Sequence, residues 1–215
     1  MKKLLFTTAL ILGLFASFDG YSQEIQTLFK SPRPSGGYAA ISNKFTTIDG
    51  EYANLAEIYG GWFIKQRLLV GVGAAASTND IRVPREHSIN PFTRTTWQYG
   101  QFGLMTEYVF WSNKAIHFNV TLFGGAGFTL QYERDRRYDW DRWDDDWDDF
   151  DDDRHDLDFF PVLEPGVQLE VNLLRWLRLS PGVSYRNTFG SDGRGLGDSK
   201  LRDWSYNVTL KIGKF

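Results

Sequence analysis

The sequence has 215 residues, of which 42% are hydrophobic and 24% are charged, and its formal net charge is −3. It contains no cysteine, which excludes disulfides, thiolate metal sites and cysteine nucleophiles. A mean hydropathy of −0.38 is too polar for a helical membrane protein. The acidic balance, without a basic patch, argues against nucleic-acid binding.

The first predicted element is an export signal over residues 1–22. Residues 1–3 form a basic start, residues 4–18 form an apolar run, and residues 20–22 supply the small side chains expected at a cleavage site. The apolar run is shorter than the roughly 20 residues of a membrane-spanning helix, so we predict cleavage after Ser22. Residues 23–35 then form a short polar periplasmic segment.

Eight stretches with alternating apolar and polar side chains follow, which is the pattern of half-buried β-strands. The connections after the second, fourth and sixth stretches are short, whereas those after the third, fifth and seventh are long. The first connection is a tight turn with the hairpin signal Asp49-Gly50. The predicted strands cover residues 36–46, 51–65, 67–79, 95–111, 116–132, 158–173, 176–189 and 203–215.

The polar face of these strands indicates which side points inward. It carries very small side chains where a solvated sheet would carry Lys, Glu and Thr, and small side chains suit the interior of a narrow barrel. The small residues are Gly71, Gly73, Ala75 and Ser77 in the third strand and Gly125 and Gly127 in the fifth. The opposite, aliphatic face then meets lipid. The pattern predicts an all-β fold, an antiparallel up-and-down eight-stranded transmembrane β-barrel, over residues 36–215.

Aromatic residues near the strand ends predict two girdles at the membrane interfaces, where amphipathic rings are favoured. The residues beside the short turns are Trp62, Phe63, Phe110, Trp111 and Trp176. Those near the long connections are Trp97, Tyr99, Tyr132 and Trp204.

These features, together with Phe215 at the end of the last strand, resemble the small outer-membrane barrels of the OmpA transmembrane-domain and OmpX type. The resemblance implies a location in the cell outer membrane, and we expect a monomer in contact with outer-membrane lipid and lipopolysaccharide. One feature departs from that family. The apolar residues of the last strand, such as Leu210 and Ile212, are one residue out of phase with Phe215. Either a bulge near Gly213 restores the phase, or the insertion signal is atypical.

The same alternation places eight charged side chains inside the barrel, with His117 nearby. They are Lys44, Glu57, Glu107, Glu164, Glu170, Arg178, Arg186 and Lys211. Enclosed charges must be paired, because an unpaired buried charge costs several kcal/mol. The balanced set predicts a plug of Glu–Arg and Glu–Lys pairs that closes the lumen and sets strand register. The alternative is a proton or ion path through the pairs.

The most unusual segment is the surface loop 133–158, which contains 13 Asp, one Glu and five Arg for a net charge of −9. We expect a solvated loop, because like charges at this density repel one another. Two alternatives remain open: a calcium site, and aromatic anchors that meet a basic extracellular partner. The candidate calcium ligands are Asp144, Asp146, Asp148, Asp151 and Asp153. The loop lacks the residue order of an EF-hand, and we expect no other cofactor.

The three histidines show no nucleophile–base–orienter spacing, so we expect no enzymatic activity. His87 lies in a proline-flanked loop, His117 beside a short turn and His155 among the aspartates. Residues 193–197 resemble a phosphate loop only in composition and predict a flexible fourth surface loop. The sequence therefore predicts a structural or surface-interaction protein acting through its outer loops. A cation or ligand sensor based on the acidic loop is the main alternative, followed by a lipid-modifying enzyme.

Overall fold

Eight long strands form the body of the computed structural model, which describes residues 36–133 and 156–215. They are β1 (Gly36–Ile48), β2 (Glu51–Ile64), β3 (Leu68–Ser77), β5 (Thr95–Val109), β6 (Ile116–Glu133), β7 (Asp158–Leu174), β8 (Leu177–Thr188) and β11 (Asp203–Lys214). Every end lies within two residues of the predicted one. The predicted signal peptide, the periplasmic segment 23–35 and residues 134–155 of the acidic loop lie outside the described residues.

Shorter elements occupy two of the long connections. Strand β4 (Ile81–Arg82) pairs with the first residues of β5, and a 3-10 helix follows at Arg85–His87. Between β8 and β11, strands β9 (Asp192–Gly193) and β10 (Leu196–Gly197) form a hairpin that continues into the one-turn helix α1 (Asp198–Leu201). No helix in the described part of the chain has the length and apolar content needed to cross a membrane.

The eight long strands close into a barrel because each pairs antiparallel with both of its neighbours. Strand β1 completes the ring by pairing with β2 on one side and β11 on the other. Closure satisfies the backbone groups of every strand edge, as a lipid environment requires. The first turn has the positive φ angles of a tight hairpin, 53° at Asp49 and 77° at Gly50. The predicted fold class is confirmed.

Side-chain exposure shows which face is inside. On β2 the Glu57 side chain is 2% exposed, whereas the adjacent Ile58 is 63% exposed, and Val72 on β3 is 65% exposed. The aliphatic residues of the other long strands form a continuous outward belt with them. This arrangement, apolar outside and ionic inside, is that of a barrel in lipid and the reverse of a soluble barrel.

The aromatic prediction is partly wrong. Trp62, Trp111, Trp176 and Trp204 are exposed on the outer surface near the two rims, but Phe63, Trp97 and Tyr99 are buried inside the barrel. The reason is strand parity. Phe63 follows the outward Trp62 by one residue, and Trp97 and Tyr99 share the inward phase of Gln101 on β5.

The lumen is apolar at its short-turn end, where the rings of Tyr38, Phe63 and Phe215 pack together. The ring centroid of Phe215 lies 5.1 Å from that of Tyr38 and 6.3 Å from that of Phe63. The β1–β11 register continues without a bulge to the pair Gly37–Lys214, so Phe215 faces the lumen and the lipid-facing residues of β11 stay out of phase with it. The first of the two predicted alternatives, a bulge near Gly213, is therefore wrong.

Candidate functional site in the barrel lumen

The structure places all eight predicted lumen charges on inward-facing strand positions, and each residue is at most 6% exposed. They separate along the barrel axis into two ion-paired clusters and one isolated arginine. Each is held by a β-strand rather than by a loop, because the inward phase of the alternation carries it there.

The mid-lumen cluster consists of Lys44, Glu57 and Glu164. The Lys44 Nζ lies 2.7 Å from a Glu57 oxygen and 2.9 Å from Glu164 Oε1, so one ammonium group joins two carboxylates. Glu164 also accepts hydrogen bonds from Gln101 Nε2 at 2.9 Å and from the Ser184 hydroxyl. Gln101 thus satisfies the oxygen that the lysine leaves free, and Ser184 shares Oε1 with the lysine, so that both oxygens of the buried carboxylate have donors.

The turn-side cluster lies nearer the short turns and consists of Glu107, His117, Glu170, Arg178 and Lys211. Lys211 Nζ pairs with Glu107 and lies 2.8 Å from Glu170 Oε2. Arg178 pairs with the other oxygen of Glu170, and His117 Nε2 lies 2.9 Å from that same oxygen. Glu170 is thus the acceptor at the centre of the cluster.

His117 also connects this cluster to a turn. Its Nδ1 lies 3.0 Å from the Lys114 carbonyl oxygen in the β5–β6 connection, so both ring nitrogens face oxygen acceptors. Asn119 donates a further hydrogen bond of 2.9 Å to Glu170. The alternation placed His117 near the lumen, but its contact with Glu170 depends on the pairing of β6 with β7.

Arg186 differs from the predicted Glu–Arg pairing. Its guanidinium donates to the Leu201 carbonyl oxygen at 2.7 Å and to the Thr47 carbonyl oxygen at 2.9 Å, and it lies 4.8 Å from the centroid of the Tyr99 ring. Within the described residues it makes no ion pair with a carboxylate. Arg186 therefore connects the long-loop end of β8 to the end of helix α1 and to the first hairpin.

Side chains fill the space between the charged groups. A cavity of about 10 Å³ lies beside the mid-lumen cluster, against Tyr59, Met105 and Phe123. A cavity of about this size is the smallest that can hold one water molecule. A barrel of eight strands leaves room for little more than its own side chains.

The described outer connections cover the long-loop rim. Leu196 and Leu201, in the connection between β8 and β11, are buried. The carboxylate of Asp158 accepts hydrogen bonds from the backbone N–H groups of Asp192 and Gly193 at 3.2 and 3.1 Å. Gln131 donates to the His87 carbonyl oxygen at 3.0 Å. Residues 193–197, predicted as a flexible loop, instead form part of a short hairpin that packs into the rim.

No protein-family model and no curated protein sequence matches this chain. Among solved structures, the Neisserial surface protein A (NspA) superposes with a TM-score of 0.57 and 10% sequence identity, over 84% of this chain and 97% of that one. The chain has the fold of the small eight-stranded outer-membrane β-barrels.

Two further barrels are similar at lower scores. The attachment invasion locus protein Ail of Yersinia pestis has a TM-score of 0.47 and 10% identity, over 84% of this chain and 99% of that one. A major outer-membrane protein of Thermus thermophilus has a TM-score of 0.47 and 9% identity, over 82% and 99% of the two chains. The likeness to NspA confirms the resemblance in fold that the strand pattern predicted.

The remaining predicted site residues are not part of the lumen clusters. The candidate calcium ligands Asp144, Asp146, Asp148, Asp151 and Asp153, and His155, lie outside the described residues. His87 is part of the 3-10 helix in the first long connection, between β3 and β5, with Nε2 3.6 Å from Glu86. Among the described residues, no group of three or more His, Asp or Glu side chains could hold a metal ion. The calcium site, the basic partner and the lack of enzymatic activity stay predictions.

Sequence reasoning missed the uncharged members of the lumen network. Gln101, Asn119 and Ser184 donate to buried carboxylates, although each is an ordinary polar residue in the sequence. Their inward phase was available as a signal, because each lies an even number of residues from a predicted lumen charge or histidine on its own strand.

Proposed function

We propose that this chain is an outer-membrane barrel whose lumen is closed to solutes and whose role is structural or interactive, through the connections at its long-loop rim. The observation that carries this proposal is the lumen itself. Two ion-paired clusters lie in series along it, and the cavity beside the mid-lumen cluster measures about 10 Å³. A solute pathway would need to break buried ion pairs, each of which costs several kcal/mol to separate.

Planar-bilayer recordings of the full chain test the closed lumen. We expect no stable open conductance, because Lys44 and Lys211 each join two carboxylates across the lumen. The variant Lys44→Ala, Glu164→Ala, Glu107→Ala, Lys211→Ala removes one connection from each cluster, and brief openings should then appear. Lipid-facing Ile58→Ala should behave like the unmodified chain. A large, stable open state of the unmodified chain would contradict the proposal.

The orientation of the barrel is tested with single cysteines, since the chain has none of its own. Barrels of this kind place short turns in the periplasm and long loops outside the cell. Phe92 lies in the first long connection, between β3 and β5, and is 97% exposed. Asn113 is exposed in a short turn. A membrane-impermeant maleimide added to intact cells should label Phe92→Cys and spare Asn113→Cys. Equal labelling of the two variants would contradict the orientation.

A further inference from the structure

A cleft of about 580 Å³ opens on the first long connection, between β3 and β5, and takes no part in the lumen network. Three arginines line it, Arg82 on β4, Arg85 in the 3-10 helix and Arg94 just before β5, and all three are exposed. The hydroxyl-bearing residues Thr93 and Thr96 lie beside them.

The register of β4 shows that the cleft faces away from the lumen. Ile81 pairs with Trp97, and both side chains are buried inside the barrel, so the neighbouring Arg82, which is exposed, points outward. On the same outward face of β5, Phe102 and Leu104 belong to the apolar belt. Arg82 therefore lies at the long-loop end of β5, beyond the belt residues Phe102 and Leu104.

The described residues that line the cleft carry a net positive charge. None of the three guanidinium groups makes an ion pair or hydrogen bond with the other described residues, in contrast to Arg178 and Arg186. The single acidic residue in the lining is Asp80, whose carboxylate accepts a hydrogen bond of 3.4 Å from the Tyr132 hydroxyl. Three planar guanidinium groups around an open cleft suit phosphate oxygens, which they can bind in a bidentate manner.

We propose that this cleft binds the phosphate groups of lipids in the outer leaflet. The proposal rests on the orientation proposed above, which places the cleft at the outer membrane surface. Two observations favour a lipid over a free phosphate ion: Arg82 and Phe102 share the outer face of the barrel wall formed by β4 and β5, and Phe92 in the lining of the cleft is 97% exposed. An aromatic ring beside basic side chains is the composition of a membrane interface.

The test uses the full chain in neutral maltoside micelles and calorimetric titration with three probes. These are lipid A with its phosphates, the same lipid after removal of the phosphates, and inorganic phosphate. We expect binding of the phosphorylated lipid alone. The variant Arg82→Gln, Arg85→Gln, Arg94→Gln should bind it at least about tenfold more weakly, since each basic residue near an anionic surface contributes about a factor of five.

The matched control removes three exposed basic residues at the opposite rim, by Lys65→Gln, Arg67→Gln and Arg175→Gln, and should retain the unmodified affinity. Heat-modifiability on denaturing gels checks that both variants fold, and raising the salt concentration should weaken binding to the unmodified chain. Equal weakening in the two variants, or equal binding of the dephosphorylated lipid, would overturn the proposal. Equal affinity for inorganic phosphate would overturn the assignment to lipid. Cysteine labelling reports on orientation separately, so the failure of one proposal can be told from the failure of the other.

Discussion

Each end of β8 carries a buried arginine, and the two arginines are stabilised in different ways. Arg178 and Arg186 both point into the lumen and both are buried against an aromatic ring, at 3.7 Å from the Phe215 centroid and 4.8 Å from the Tyr99 centroid. Arg178 is neutralised by Glu170 on the adjacent strand, whereas Arg186 is held by two backbone carbonyl oxygens. The short-turn half of the lumen is thus stabilised mainly by ion pairs between strands. The long-loop half depends on the connections that close it.

The largest loss of stability should come from a change at Glu170, the acceptor at the centre of the turn-side cluster. Glu170→Gln leaves Arg178 and Lys211 with one carboxylate fewer in a buried site, and we expect a loss of about 3–5 kcal/mol in the free energy of unfolding. Denaturant titration of the refolded barrel in micelles measures it. The exposed Glu51→Gln should change stability by less than about 0.5 kcal/mol. A loss as small as that of the control would mean that the cluster is not a source of stability.

Arg186→Met should have a smaller and more local effect. It leaves the Leu201 and Thr47 carbonyl oxygens without their donor, which costs about 1–3 kcal/mol. The difference from Arg178 predicts where the loss appears: hydrogen exchange should accelerate in residues 196–202 and stay unchanged in the short-turn halves of β1 and β11. Arg67→Met, at an exposed residue of a short turn, is the control. If β11 exchanged as fast as the loop, the proposed dependence of this end on its connections would be wrong.

The position of each charge inside the barrel could be predicted from sequence, but its partner could not. Period-two alternation assigns Lys44 and Glu164 to the inward face of their own strands. Their contact joins residues 120 positions apart, and it depends on how far each strand is staggered around the ring. Trp97 shows the opposite case. Its inward phase could be read from Gln101, but its nearness to a strand end favoured an interface position instead.

The rim was the least predictable region. The hairpin β9–β10 contains only four residues, and its two strands are joined through Arg194 and Gly195. Its order depends on hydrogen bonds to Asp158, which begins a different strand. Arg82, Arg85 and Arg94 are likewise scattered among other loop residues, and the two-residue pairing of β4 with β5 determines that Arg82 faces outward. Alternation carries no information about contacts of this kind.

Phe215→Ala tests the ring beneath Arg178. The side chain is partly buried against Tyr38 and Phe63, so we expect a loss of about 1 kcal/mol in the free energy of unfolding. Phe215→Leu keeps apolar volume but removes the ring face from Arg178, and should recover about half of that loss. Stability equal to that of the unmodified chain in both variants would show that the aromatic layer is not needed.

The smallest effect concerns Asp198, at the start of helix α1. Partial burial raises the pKa of its carboxyl, but hydrogen bonds from the Gly190 and Ser191 N–H groups outweigh burial, so the pKa lies below its usual range. A group whose pKa is lowered by folding adds stability above its unfolded pKa, about 4, and loses it as the pH falls through the folded value. Asp198→Asn should therefore lower the free energy of unfolding by a few tenths of a kcal/mol at pH 7. The difference in stability between the variant and the unmodified chain should disappear only below about pH 4. Unfolding midpoints measured between pH 2 and pH 7 would show this, and a gap that is constant throughout would contradict it.

The ion pair between Lys211 and Glu107 joins β11 to β5, which are four strands apart in a ring of eight. Lys44 and Glu164 join β1 to β7, three strands apart. Such connections act as internal braces, since widening the barrel along either line would stretch one of them. The barrel should therefore resist widening along these two lines when the lateral pressure or thickness of the surrounding bilayer changes.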